Sequence, residues 1–355
     1  MPVLLERASQ SDLPRQTRFA HPGRRALDIA LVNNMPDAAL ESTERQFTRL
    51  LASAAKDIPV RLHLFSISEI ARSEAARAHL AGTYRDLDQI WDAQLDAVIV
   101  TGTEPRAASL RDEPYWASIA KLADWSEANS VSTAWSCLAA HAAVLHKDGI
   151  TRSPLAQKCF GFFECKRASR HPLLERTPLR ISVPHSRWNE LPEETLRAAG
   201  YTILTRSSAA GVDAFAKHHN GDGNAPTLFF QGHPEYDERA LFREYRRDVA
   251  RYLRGERETY PGIPVNYFDA AAAKVAGQFK DLALVHRREE LMVRFPAAAL
   301  QAGLRRGAGS TATTIYNNWI SHLWLQNAPT RYRPAAVTLV RAPQFAATVS
   351  DDALN

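Results

Sequence analysis

The sequence predicts an α/β fold whose mostly parallel sheet is covered by helices on both faces, and three observations predict it. Short apolar runs alternate with amphipathic stretches, as a parallel sheet with crossover helices requires. Two of those runs, residues 95–100 and 131–136, end directly in a turn or a new helix, as central parallel strands do. Between residues 179 and 230 the pattern shifts to short strand-like runs.

The elements follow in order. Residues 26–32 read as a first buried strand, stopped by Asn33-Asn34-Met35-Pro36. Residues 43–51 carry apolar side chains at helical spacing, and residues 60–67 alternate like a strand. The run 95–100 enters a turn at Thr101-Gly102. A helix is expected over 115–129, a strand over 131–136, and a helix over 138–146 closed by Gly149. Strand-like runs follow at 180–183, 201–205, 211–216 and 227–230, with a turn at 218–224 in which His218 and His219 are read as turn residues and not metal ligands. Helical spacing returns at 238–254, 271–287 and 311–326. The organisation expected is an N-terminal arm over 1–25, an α/β domain over 26–260, a helical extension packing on it over 261–328, and a loosely held tail over 329–355.

Composition excludes several classes. At 355 residues the chain can bury a large core, and 45% hydrophobic with 23% charged residues is ordinary for a globular protein. No apolar run approaches the roughly 18 residues that cross a bilayer, and residues 1–25 lack the apolar segment of a secretory signal. Three cysteines are too few and too unevenly spaced for a disulfide framework or a zinc site, which points to a reducing cytoplasm. Net charge is +5, but no basic block is interleaved with aromatics, so nucleic acid is a poor candidate partner. A dispersed basic surface suits a polyanionic small molecule such as coenzyme A, or simply solvent.

Two distant fragments fit one reaction. Cys137 ends the expected strand 131–136 and precedes a helix, whose N-terminus favours a thiolate and aims the Leu138 amide at an oxyanion. A second donor is available from the Gly102-Thr103 turn, on the strand expected beside it. In Gly232-His233-Pro234-Glu235, proline pushes His233 into an extended conformation, where residues two apart face one side. Glu235 then orients the His233 ring, whose other nitrogen faces the thiol. Nucleophile, base and orienting carboxylate together are the chemistry of acyl transfer through a thioester.

From about Leu27 to Asn327 the chain resembles the homoserine O-succinyltransferase and O-acetyltransferase family of methionine biosynthesis, whose fold is like that of class I glutamine amidotransferases. The matching segments are Asn34-Met35-Pro36, Thr43-Glu44-Arg45-Gln46, Val100-Thr101-Gly102, Lys158-Cys159-Phe160-Gly161, Pro184-His185-Ser186-Arg187, Gly232 to Asp237, and Glu244-Tyr245-Arg246-Arg247-Asp248. The resemblance implies that Cys137 carries the acyl group, His233 accepts the proton, Glu235 is its partner, and Lys158, Ser186 and Arg247 contact substrate. It implies acyl-CoA as co-substrate with no bound cofactor or metal, homoserine as acceptor, and no nucleic-acid or membrane partner; a homodimer is left open. Where the family distinguishes succinyl from acetyl users, in the loop after Val-Thr-Gly, this chain has Arg106, whose charge would pair with a succinyl carboxylate.

The chain also departs from the pattern. Leu138-Ala139 stands where the family has tryptophan and glycine after its cysteine, and Trp188-Asn189 where it has histidine and threonine. Acetyl-CoA as donor and serine as acceptor are therefore carried as alternatives. A glutaminase would share fold and triad, but it wants glycine two residues before and after the cysteine, where Trp135 and Ala139 stand. An inactive binding homologue is the reading of another class, and the presence of all three triad residues weighs against it.

Overall fold

The computed structural model describes residues 3–6, 26–129, 131–218, 226–305 and 309–326. The tail expected over 329–355, most of the arm, and the His219 end of the expected turn lie outside the described residues.

One sheet organises the molecule. Its strands are β1 (Val3–Glu6), β2 (Leu27–Val32), β3 (Val60–Ser66), β4 (Arg85–Asp86), β5 (Ala97–Val100), β6 (Ser132–Ser136), β7 (Ser153–Arg167), β8 (Arg180–Glu190), β9 (Thr202–Ser207), β10 (Gly211–Lys217) and β11 (Thr227–Phe230). They lie in the order β1-β3-β2-β5-β6-β11-β10-β9-β7-β8, with the short β4 beside β3. Pairs from β1 through β11 are parallel, and those from β11 through β8 are antiparallel. The helices are α1 (Asp37–Ala55), α2 (Glu74–Thr83), α3 (Trp116–Ala128), α4 (Leu138–Asp148), α5 (Glu193–Ala198), α6 (Ala240–Leu253), α7 (Ala270–Val285), α8 (Ala297–Ala302) and α9 (Gly309–Gln326).

Alternation along the central strands decides which helix covers which face. In β2, Leu27, Ile29 and Leu31 join a core with α1 and α9, while Ala30 and Val32 join a second core with α3 and α4 on the opposite face. A third core gathers Phe160 and Phe162 of β7 with α6 and α7, so the helices after residue 261 divide between two places: α7 and α8 beside α6, and α9 against α1. Trp319 of α9 is fully buried and donates its indole N–H to the Ser132 hydroxyl at 2.8 Å, tying α9 to β6.

Four features differ from the sequence expectation, each for a physical reason. The arm contributes β1, which pairs in parallel with β3 as the edge strand. Strand β7 has no counterpart in the sequence expectation, since Pro154 and Gly161 interrupt its pattern. At Gly161, φ is +140° and an added Cβ would meet the Val265 oxygen at 2.2 Å, because residue 265 docks against β7 there. Strand β8 runs on to Glu190, through Pro184. Proline is tolerated there because β8 is the sheet edge and its open side needs no amide donor. Finally α2, with its weak apolar stripe, was not foreseen. Among the described residues no helix is long and apolar enough to cross a membrane.

Replacing Trp319 by alanine removes the largest side chain holding α9 to the sheet. Unfolding free energy from urea titration is expected to fall by ~3–5 kcal/mol; a loss under about 1 kcal/mol would show that α9 is not part of the core.

Candidate active site

Cys137 sits at the carboxyl end of β6, where parallel sheets place their sites. Its φ of +53° makes a sharp strand-to-helix turn, a costly conformation for a residue with a Cβ. The turn is held by the Cys137 amide, which donates to the Phe230 carbonyl at 2.7 Å. The half-buried thiol faces a cavity of about 430 Å³ at the start of α4. Strand β5 does lie beside β6, and Gly102 past its end packs against the first residue of α4. A Cβ at Gly102 would stand 2.9 Å from the Leu138 nitrogen. Glycine therefore leaves that amide, one of the unpaired N–H groups of a helix start, open to a ligand. Thr103 lines the same cavity.

The histidine arrives from the other half of the sheet. The segment after β11 is a β-turn, with the Tyr236 amide donating to the His233 carbonyl at 3.2 Å, and not the extended run expected. Pro234 suits its second position. The two side chains still meet: His233 Nδ1 lies 2.8 Å from Glu235 Oε1. The His233 amide donates at 2.8 Å to the carbonyl of Pro184, on the open edge of β8. Its ring stacks on Tyr236 at 4.1 Å between centroids and shares the cavity wall with Cys137, whose sulfur acts on it. Burial of the ring opposes the charged form. The nearby Glu235 charge and the Cys137 sulfur, with the hydrogen bond to Glu235, outweigh it and hold the imidazole well above its ordinary range. The resting ring is thus an imidazolium beside the thiol.

Across the cavity, α6 presents Glu244, Arg247 and Asp248 at helical spacing. Lys158 lies 3.3 Å from Asp248 and 3.7 Å from Glu244. Arg247 donates to Asp248 at 2.9 Å. The Ser186 and Tyr236 hydroxyls both donate to Glu244. Burial pushes the Asp248 carboxyl up, but Lys158 and Arg247 more than offset it and keep it ionised. Lys158, Ser186 and Arg247 therefore do converge with the triad in one cavity.

Arg106 does not. Its side chain is exposed and absent from the cavity wall, because Glu113 accepts the amides of Arg106 and Ala107 and folds that loop away. Sequence reasoning also missed Tyr236, Glu244, Arg152 and His141. The first two stand within matched motifs and were legible there as polar groups one turn from a triad or cation residue. His141, four residues after Cys137, is fully buried, bonded to Gln231 at 2.9 Å, and pushed down to about 3 by burial first and by Arg187 and Arg152 second, so it is neutral.

One buried group among the described residues has metal-ligand spacing: Cys165, His185 and Asp213, with ligand atoms within 4.8 Å of one another. The Arg187 guanidinium approaches His185 at 3.4 Å and acts on Asp213 and Cys165, so a cation already occupies this neighbourhood. Burial keeps the Cys165 thiol protonated and lifts Asp213 to about 6. The donor set does not fit a metal ion.

An α/β sheet with a cysteine on a strained turn, a histidine on the turn after the neighbouring strand and a glutamate behind it has the arrangement that the nucleophilic-cysteine class requires. The comparisons are specific beyond that. A family model described as homoserine O-succinyltransferase matches residues 9–330. Proteins named homoserine O-succinyltransferase from Rhodopseudomonas palustris and Bradyrhizobium japonicum are 48% and 47% identical, over 84% of this chain in both cases and 89% and 90% of theirs. The chain belongs to the homoserine O-succinyltransferase family. Among solved structures, a glutamine amidotransferase from Thermotoga maritima aligns over 86% of this chain and all of its own, at 10% identity and a TM-score of 0.46.

Two outcomes are expected. Gly102→Ala places a methyl group over the Leu138 amide and lowers kcat of the folded protein ~100-fold, alongside a loss of thermal stability from the close contact; unchanged kcat would remove that amide from the reaction. Glu235→Gln deletes a charge that raises His233, so the ring loses its proton at lower pH and no longer holds the thiolate. Iodoacetamide modification of Cys137 near neutral pH should then slow ~10-fold or more; a pH–rate profile matching wild type would contradict the assignment.

Proposed function

We propose that this protein transfers a succinyl group from succinyl-CoA to the hydroxyl of homoserine, through a thioester on Cys137. The observation that carries the chemistry is the contact chain thiol–imidazole–carboxylate, closed by the 2.8 Å bond between His233 and Glu235. Membership of the family, with relatives of that name matched along most of their length, supports the donor and acceptor.

The Cys137 thiolate attacks the thioester carbonyl of the donor. The oxyanion so formed is held by the Leu138 amide at the helix start, with the Thr103 turn as the second donor. Collapse expels the CoA sulfur, which takes the proton from the His233 imidazolium. The now neutral ring accepts the proton of the acceptor hydroxyl as its oxygen attacks the acyl-enzyme. The ester leaves, and thiolate and imidazolium are restored. Lys158 and Arg247 stand as counter-charges for the acceptor carboxylate, and Glu244, bridged by Ser186 and Tyr236, for its ammonium. Residues 26–260 carry the triad in this reading, with residues 261–328 as packing support. The three free cysteines suit a reducing cytoplasm.

Intact-mass spectrometry after mixing with succinyl-CoA should show a gain of one succinyl group, and Cys137→Ala should show none. A wild-type protein that stays unmodified by succinyl-CoA, or a Cys137→Ala variant that gains the same mass, would overturn the reading.

A further inference from the structure

Six cationic side chains line the cavity: Arg152, Lys158, Arg187, Arg247, Arg251 and Arg257. Five have a carboxylate within 4.0 Å. Lys158, Arg247 and Arg257 share Asp248, Arg251 takes Glu104, and Arg187 reaches Glu190. Of the six, Arg152 alone has no hydrogen bond or ion pair among the described residues. It is half-buried, one residue ahead of β7, and lies within electrostatic range of Cys137. Glu113 and Tyr115 are the other groups that act on it. Glu113 does not pair with it: one oxygen takes the Arg106 and Ala107 amides, and the other has no hydrogen-bond partner.

A guanidinium taken partly out of water and left without a counter-ion loses solvation with nothing in return. Such a group on the wall of a cavity that holds the nucleophile is completed by an anion carried on the substrate. Its planar fork matches a carboxylate with two parallel hydrogen bonds. Resting on the transfer reaction proposed above, we infer that Arg152 binds the distal carboxylate of the acyl group and makes the enzyme selective for a dicarboxylic donor. The role that charge suggested for Arg106 thus belongs to a residue placed on the cavity wall. Each of the remaining cations already has a carboxylate within 4.0 Å and contributes less selectivity for the acyl end.

Butyryl-CoA isolates this contact, since it keeps the chain length and replaces the carboxylate by a methyl group. The measurement is the ratio of kcat/KM for succinyl-CoA over butyryl-CoA, in which any effect on Cys137 reactivity cancels. Arg152→Met is expected to lower that ratio ~10- to 100-fold. Arg152→Lys keeps the charge but loses the fork, and should lower it by less, about 3- to 10-fold; it also serves if the methionine variant folds poorly. A ratio within twofold of wild type in either variant that folds overturns the assignment of Arg152 and leaves the transferase reading intact. A wild-type protein that transfers no succinyl group overturns both.

Discussion

The contact between the Cys137 thiol and the His233 ring is the constraint around which the remaining structure is arranged, because its two partners come from opposite halves of the sheet. The cysteine is delivered by β6, in the parallel half, and the histidine by the turn that follows β11, where parallel pairing gives way to antiparallel. Each is pinned through its backbone. The Cys137 amide is held by Phe230 at the end of β11, and the His233 amide by Pro184 on the edge of β8. Adjacent strands β6 and β11 thus set the spacing of nucleophile and base, and the antiparallel strands set the angle of the ring.

Burial gives that contact its chemical character. Away from water an imidazolium is costly, yet Glu235 on one side and the sulfur on the other favour it, so the ring is held protonated. Nearby histidines are tuned the opposite way. His141 and His185 are held neutral by burial, reinforced by Arg187 in both cases, so of these three histidines only His233 carries a charge. The Arg187 guanidinium also supplies the charge behind His185 and Asp213 that a metal would otherwise bring.

Much of this was legible in the chain, and the illegible parts share a cause. The strand-to-helix junction at Cys137, the neighbouring turn at Gly102 and the pairing of His233 with Glu235 follow from local apolar runs and from short spacings, which the sequence displays directly. Strands β7 and β8 were obscured because Pro154, Gly161 and Pro184 signal interruption locally, while their tolerance depends on an edge position and on the docking of residue 265, both of them tertiary facts. Arg106, the residue that charge suggested as a carboxylate anchor, is absent from the cavity wall. Whether an arginine after Val100-Thr101-Gly102 reaches the cavity is decided by Glu113 capping the loop amides, and no spacing rule reports such a long-range cap.

Nitrogen NMR of the His233 side chain, followed from acid to alkaline pH in the free enzyme, tests the central claim most directly. The account predicts that both ring nitrogens stay protonated through neutral pH, with the Nδ1 proton far downfield on its bond to Glu235, and that this signature collapses in Cys137→Ser. A ring that is neutral at pH 7, or one indifferent to loss of the sulfur, would contradict it.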